Sequence, residues 1–299
     1  MDNQNTALVI LAGGFSSRMQ DFKPLLPVGG LSAVSLCLKL AKAAGIDRVL
    51  VVTGHRHEEL EGHLAGKGET IYNPQFAEGM FTSIQAGLAA LQKTGPFPEA
   101  VLLLPVDHPL VPAAAVEQLL EAHRAHPDSF IVPCFHGKKG HPLLIPRRFF
   151  REIAEYEGTK GLKGVTDAHP EELLRIDTPW EGVVLDMDSP EDYRELLEYY
   201  QKNRIPGKDV CLAALEEYGT PPHVMRHCTA VAETAVKMAA ALNRAGYEFD
   251  LPRLRAACLL HDIARVEEDH GEAGARYAEK QGWYELAPLI RPHMYYSKE

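Results

Sequence analysis

The chain opens with an unbroken apolar run over 8–11 that breaks at Gly13 and Gly14. Aliphatic character without alternation marks a strand buried on both faces, and the glycines mark a tight loop after it. Ser32 then precedes AVSLCLKLAKAAG, whose apolar positions recur at three and four and stop at Gly45, which predicts an amphipathic helix capped at both ends. VLVVTG predicts a second buried strand, 56–65 a short helix, 70–72 a strand and 80–93 a longer helix. AVLLLPVDHP predicts a further strand ahead of a helix near Pro112, and SPEDYRELLEYYQKN a helix that ends at Asn203. Strands alternating with helices predict an α/β domain on a parallel sheet covered on both faces.

Beyond Asp209 the strand pattern disappears and helical periods follow one another over 210–218, 222–245, 251–264, 271–281 and 285–294. Pro206 and Gly207 lie between the two patterns. The expected organisation is therefore an α/β domain over 1–204 and a second, smaller all-α domain over 209–299. A length of 299 residues suits two cores better than one.

Composition narrows the partners. The formal net charge is −10 and neither half is basic, which argues against a nucleic-acid partner. No apolar run approaches the ~20 residues of a membrane helix, and MDNQNT lacks the basic start of an export signal. A cytoplasmic protein with no membrane partner is expected. Five cysteines, widely spaced and without a C-x-x-C pair, read as buried free thiols.

The glycine loop carries the first chemistry. Glycines let backbone N–H groups approach an anion closely, and Arg18 and Lys23 add a bidentate and a point-like cation, which together make a phosphate site. Neither G-x-x-x-x-G-K-[ST] nor G-x-G-x-x-G occurs, so an ATPase loop and a dinucleotide fold are disfavoured. Asp107 ends a strand and so faces the edge where ligands of such sheets bind. There it either holds a cation such as Mg²⁺ against phosphate, or caps the turn before the next helix. In the helical part His227, the adjacent pair His261 and Asp262, His270 and His293 form a second constellation.

LAGGFSSRM followed by Lys23 resembles the L-A-[AG]-G-x-S-x-R-M-x-x-x-K loop of the MobA-like nucleotidyltransferases. NPQFAEGMFTSIQAGL, GKKGHPLLIP, GTKGLKGV and DMDSPEDY resemble, in the same order, segments of the molybdenum-cofactor cytidylyltransferase branch, with Thr159 and Lys163 standing where an Asp and an Arg are usual. The resemblance implies a three-layer Rossmann-like domain that transfers a nucleotide from an NTP to a molybdopterin-type cofactor with release of pyrophosphate. It implies nucleotide contacts at Leu11, Ala12, Gly13, Gly14, Arg18, Lys23, Gly54, Asn73, Gly79 and Ser83, and catalytic roles for Arg18, Lys23 and Asp107. Substrate contacts would fall at Gly140 and His141, and Mg²⁺ at Asp107 and Asp188, with Asp186 as the fallback. Ala12-Gly13-Gly14 is the form frequent in guanylyltransferases, whereas the other segments are cytidylyl-like, so CTP is expected and GTP is the alternative. A molybdoenzyme or chaperone partner would be compatible with that role.

RHCTAVAETA, LLHDIAR and HGEAGARYAEKQG resemble the HD superfamily of metal-dependent phosphohydrolases. Carried over, His227, His261 and Asp262 would bind a divalent transition metal. The family's last ligand, an Asp after the His293 helix, has no counterpart before Glu299, and Met294 stands where a second histidine often follows, which implies a truncated or incomplete site. Two alternatives are kept. The first domain could be a sugar-phosphate nucleotidyltransferase using the same loop, or the protein could be a nucleotide-sensing regulator with an inactive HD-like module.

Overall fold

The structure, a computed structural model, describes residues 5–19, 21–93 and 95–294. It divides between Glu198 and Tyr199 into two compact units. The first contains strands β1 (Thr6–Leu11), β2 (Pro27–Val28), β3 (Leu31–Ser32), β4 (Arg48–Thr53), β5 (Glu69–Tyr72), β6 (Ala100–Pro105), β7 (Phe130–Phe135), β8 (Lys138–Lys139), β9 (Leu143–Pro146) and β10 (Leu173–Asp177). The main sheet runs β10-β7-β9-β6-β1-β4-β5, with β8 on β7, while β2 and β3 form a small ribbon of their own.

β1 lies between β4 and β6 and is parallel to both, Leu11 facing Val52 on one side and Pro105 on the other. The sheet is not wholly parallel, as the sequence pattern suggested: β9 is antiparallel to β6 and to β7. The physical reason lies in the link over 136–142. A parallel crossover takes a dozen residues or more, so a chain with so short a link must turn straight back. His136 and Gly137 both take positive φ in that turn, +47° and +79°, and glycine adopts it without strain.

Side chains alternate across the sheet and build a core on each face. Ala7, Val9 and Leu11 join Val101 and Leu103 beneath the helices Met80–Lys93 and Phe150–Glu155. Leu8 and Ile10 join Leu102 and Leu104 beneath Ala33–Ala43 and Ala113–Ala125. These strands are buried along their length, and each fully buried Leu or Ile contributes about 1.5–3 kcal/mol relative to exposure. Ser32 caps Ala33–Ala43 as the sequence predicts, its Oγ accepting the Ser35 N–H at 3.4 Å. The result is the three-layer α/β arrangement.

The second unit is all helical, with Lys208–Tyr218, Pro222–Arg244, Leu251–Leu260, His270–Lys280 and Ala287–Ile290 around Cys211, Leu215, Leu260, Ile263 and Leu286. The helix expected over 251–264 stops at Leu260. From there the chain tightens through Ile263 N–H to Leu260 O (3.1 Å) and Arg265 N–H to Asp262 O (3.1 Å), and Thr220 Oγ1 donates to the Ile263 carbonyl at 2.7 Å. The division between the units falls inside the helix Pro190–Asn203. Just after it, Tyr200 donates to Glu285 at 3.3 Å and Arg204 at 2.9 and 2.7 Å, which ties that last turn to the helical core.

All five cysteines are free, four of them buried and Cys258 half-buried. Burial pushes the Cys211 thiol up to about 12. Among the described residues no helix is long and apolar enough to cross a membrane.

Gly87 lets the helix Met80–Lys93 lie close on the sheet, since a Cβ there would stand 2.9 Å from Val9 Cγ1 and 3.2 Å from Val52 Cγ2. Gly87→Val should therefore cost about 1–3 kcal/mol through overpacking, read as a lower melting midpoint of the first unit. An unchanged midpoint would show that the helix can move away without loss.

Candidate functional site

Because β1, β4 and β6 are parallel, their carboxyl ends meet at one edge. The loop after β1 and the loop after β4 are pressed together there: Gly13 O accepts the His55 N–H at 3.1 Å, and a Cβ on Gly54 would lie 2.6 Å from Gly13 O. Gly54 thus backs the glycine loop from behind. Among the described residues neither the Gly13 nor the Gly14 N–H has an acceptor, so both remain able to donate to a ligand. Ser16, at φ +56°, then turns the chain so that its Oγ accepts the Lys23 N–H at 3.3 Å.

A cavity of about 310 Å³ opens at this edge. Leu11, Ala12, Gly13 and Gly14 form one wall, Gly79 and Ser83 another, and Lys23, Asp107 and Asp188 a third. Asn73 does not face the cavity. It is buried and donates to Thr82 Oγ1 and Ser83 Oγ, both at 2.9 Å, and so holds the helix entry in place. Phe15, Phe76 and Met80 also line the cavity and were not singled out as contacts by sequence. Phe15 lies in the loop and Phe76 between Asn73 and Gly79, so their neighbours in the chain were the available signal.

The charged wall is organised by Lys23. Its Nζ lies 3.1 Å from Asp107 Oδ2 and 2.6 Å from Asp188 Oδ1, and the side chain is only 12% exposed. Arg18, 78% exposed and outside the cavity wall, reaches Asp188 Oδ2 at 3.0 Å. Burial draws the Lys23 ammonium down, but hydrogen bonds and charge from Asp188 and Asp107 outweigh it and leave the group raised. The Lys23 hydrogen bond, against the opposing cost of burial, holds the Asp188 carboxyl below its ordinary value.

Neither carboxylate caps a helix. Pro112 starts Ala113–Ala125 without a side-chain cap, so Asp107 is free of that task. Ser189 Oγ accepts the Asp192 N–H at 3.2 Å while Asp192 accepts the Ser189 N–H at 2.8 Å, which closes the helix start without Asp188. Asp186 accepts the Asp188 N–H at 3.1 Å and thereby orients it.

Gly140 and His141 lie elsewhere. Gly140 is packed on Val183, where a Cβ would sit 2.2 Å from the Val183 carbonyl, and His141 faces His108 with ring centroids 4.4 Å apart. His108 Nε2 stands 3.9 Å from Asp107 Oδ1, so this pair lies behind the carboxylate wall and does not line the cavity. Thr159 lines a separate cavity of about 930 Å³ with Gln85, Tyr156 and Gly161, and the two cavities share Gly79 and Met80. Lys138 donates to the Val184 carbonyl at 3.3 Å.

In the helical unit, His227, His261 and Asp262 offer ligand atoms within 4.8 Å of one another, and Asp262, His270 and His293 do the same. Sequence had noticed His270 and His293 without assigning them as ligands. Their proton positions follow from their partners. His261 Nδ1 faces the Cys258 carbonyl at 2.9 Å and His293 Nδ1 the Ile290 carbonyl at 2.7 Å, and a carbonyl can only accept. His270 Nε2 faces Arg265 at 2.8 Å, and a guanidinium can only donate. In their neutral forms His261 and His293 therefore turn an Nε2 lone pair toward Asp262, at 3.6 and 3.1 Å, while His270 Nε2, 3.3 Å from Asp262, already accepts from Arg265. Burial lowers His261 and, with Arg265 next, His270, which favours those neutral forms. Lone pairs facing a carboxylate call for a cation between them.

Residues 8–173 match the family described as MobA-like NTP transferase domain, and residues 224–299 match HD domain. The chain is 25% identical to molybdenum cofactor cytidylyltransferase of Escherichia coli (strain K12) over 64% of its own length and 95% of that protein. It is 31% identical to purine catabolism protein PucB of Bacillus subtilis (strain 168) over 62% and 92%. The solved structure of Rv0371c from Mycobacterium tuberculosis H37Rv shares the fold, with a TM-score of 0.56 and 24% identity over 66% of this chain and all of that one.

Burial first, then the neighbouring His108, pushes His141 down to about 3 against a hydrogen bond at the Leu103 backbone. The unfolded chain takes up a proton near 6.5 that the folded one refuses, so this contribution is intact above that pH and is lost as pH falls from 6.5 toward about 3. His141→Gln should flatten the acid decline of the melting midpoint between those limits. An unaltered slope would assign the decline to other groups.

Proposed function

The chain belongs to the MobA-like NTP transferase family, and on that premise we propose that its first unit transfers a cytidylyl group from CTP to the terminal phosphate of a molybdopterin-type cofactor. One observation carries this: a glycine loop with free amides and a pair of carboxylates drawn around one cation share a single cavity. The donor set fits magnesium, since two carboxylate oxygens already converge on one positive charge and Mg²⁺ takes one or two carboxylates beside phosphate oxygens. Bound by Asp107 and Asp188, the ion would neutralise charge on the nucleotide's phosphates.

The residues supply the rest. Gly13 and Gly14 amides hold the triphosphate, while Lys23 and Arg18 take up charge as it grows on the departing pyrophosphate. The acceptor phosphate enters from the neighbouring cavity across Gly79 and Met80 and attacks the α-phosphorus, with pyrophosphate leaving on the opposite side. Phe15 and Phe76 offer flat apolar surface for a base.

In the helical unit the imidazole-rich donor set suits a transition metal better than magnesium. We assign its first ligands as His227, His261 and Asp262, with His270 and His293 completing a second group through Asp262. Such a site would serve hydrolysis of a phosphate ester.

Three tests follow from these assignments. Asp107→Asn keeps the shape and removes the charge that faces the ion, so pyrophosphate release at saturating CTP and Mg²⁺ should fall about a hundredfold or more with a normal melting curve. A variant within a few-fold of wild type would remove Asp107 from the mechanism. CTP should be turned over faster than GTP with the molybdopterin-type acceptor, and better turnover of GTP would reverse the assignment of the base. Asp262→Asn should empty the helical unit of transition metal in elemental analysis, whereas retained metal would place the ion elsewhere.

A further inference from the structure

Lys23 occupies the place between Asp107 Oδ2 and Asp188 Oδ1, at 3.1 and 2.6 Å, that a divalent ion held by both carboxylates would need. The arrangement is balanced without any ion. Two carboxylates face two cations, Lys23 on one oxygen of Asp188 and Arg18 on the other, with Lys23 also on Asp107. An ion arriving alone would add two positive charges beside an ammonium that is only 12% exposed and, among the described residues, has no other anion on this wall. An ion arriving with a triphosphate brings that anion with it, beside the Gly13 and Gly14 amides in the same cavity.

We propose that Lys23 is a resident placeholder that keeps the two carboxylates closed to free divalent cations and gives up the place only when a nucleoside triphosphate offers its ammonium a new partner. The proposal rests on Asp107 and Asp188 being the carboxylates that hold the ion. It makes one side chain serve two states. Without ligand it neutralises the acidic pair, and with ligand it neutralises the phosphates. Metal binding and nucleotide binding are then one event, and the ordinary cellular supply of free cation does not load the site beforehand. Coulomb attraction at such distances is strong enough, in a partly buried place, for the exchange to be decided by charge.

The test uses the full chain with His261→Ala and Asp262→Asn, so that the helical unit takes up no ion, and follows free Mn²⁺ by its electron paramagnetic resonance signal. Without nucleotide, Lys23→Met should bind Mn²⁺ at least tenfold more tightly than the same chain with Lys23. With the α,β-methylene analogue of CTP present, that advantage should vanish, because the lysine now assists the phosphates. Equal Mn²⁺ affinity of the two proteins without nucleotide overturns the placeholder. If Lys23→Met gains Mn²⁺ but adding Asp107→Asn does not remove it, the carboxylate assignment itself has failed, which separates the two claims. A measurement on the otherwise unaltered chain guards against misfolding of the variant. The ¹⁵N resonance of the Lys23 ammonium should be unmoved by Mg²⁺ alone and shift on addition of Mg²⁺ with the analogue. A shift with Mg²⁺ alone also overturns the proposal.

Discussion

The parallel pairing of β1 with β4 and β6 is the constraint on which the first unit depends. Parallel strands in register finish together, and the loops that follow must then share one edge. That is why the glycine loop, the Gly54 turn behind it and Asp107, far apart in the chain, come together at one edge. Burial on both faces fixes the register, since a slip by one residue would send every side chain of β1 to the opposite core. Asp188 comes to the same wall from the start of a helix and is held there by Lys23.

The elements easiest to read from sequence were those whose stabilisation is local or uniform. β1, β4 and β6 are continuous apolar runs, and Met80–Lys93 and Pro190–Asn203 carry an unbroken helical period, so their positions needed no knowledge of neighbours. β7 carries Pro133 inside a strand, β10 alternates partly buried and exposed positions, and β9 follows a short turn. None of these has a distinctive local pattern, and their places depend on what they pair with. Hence the sheet looked parallel when it is mixed. The site divides similarly. Gly13, Gly14 and Asp107 were legible because they sit just past a strand, and Lys23 because it follows the glycine loop as a spaced cation. His108, Phe15 and Phe76 became visible only when loops folded together, and the stopping of the third helix of the second unit at Leu260 depends on hydrogen bonds that no propensity foretells.

The two units solve the problem of gathering charge in opposite ways. In the first, hard carboxylate oxygens stand around basic side chains. In the second, imidazole nitrogens stand around one carboxylate, with His261 and His293 oriented by backbone carbonyls and His270 by Arg265. Oxygen donors and nitrogen donors prefer different ions, so the two groups of side chains differ in the chemistry they offer.

Asp262 stands between two groups of histidines, with Oδ2 nearest His261 and Oδ1 nearest His270 and His293. One carboxylate has a single negative charge to divide between its two oxygens. Whatever draws electron density toward Oδ2 leaves Oδ1 a poorer donor, and the reverse. The two halves of the cluster therefore draw on one shared charge, a property set by the single side chain that joins them and independent of how alike they are.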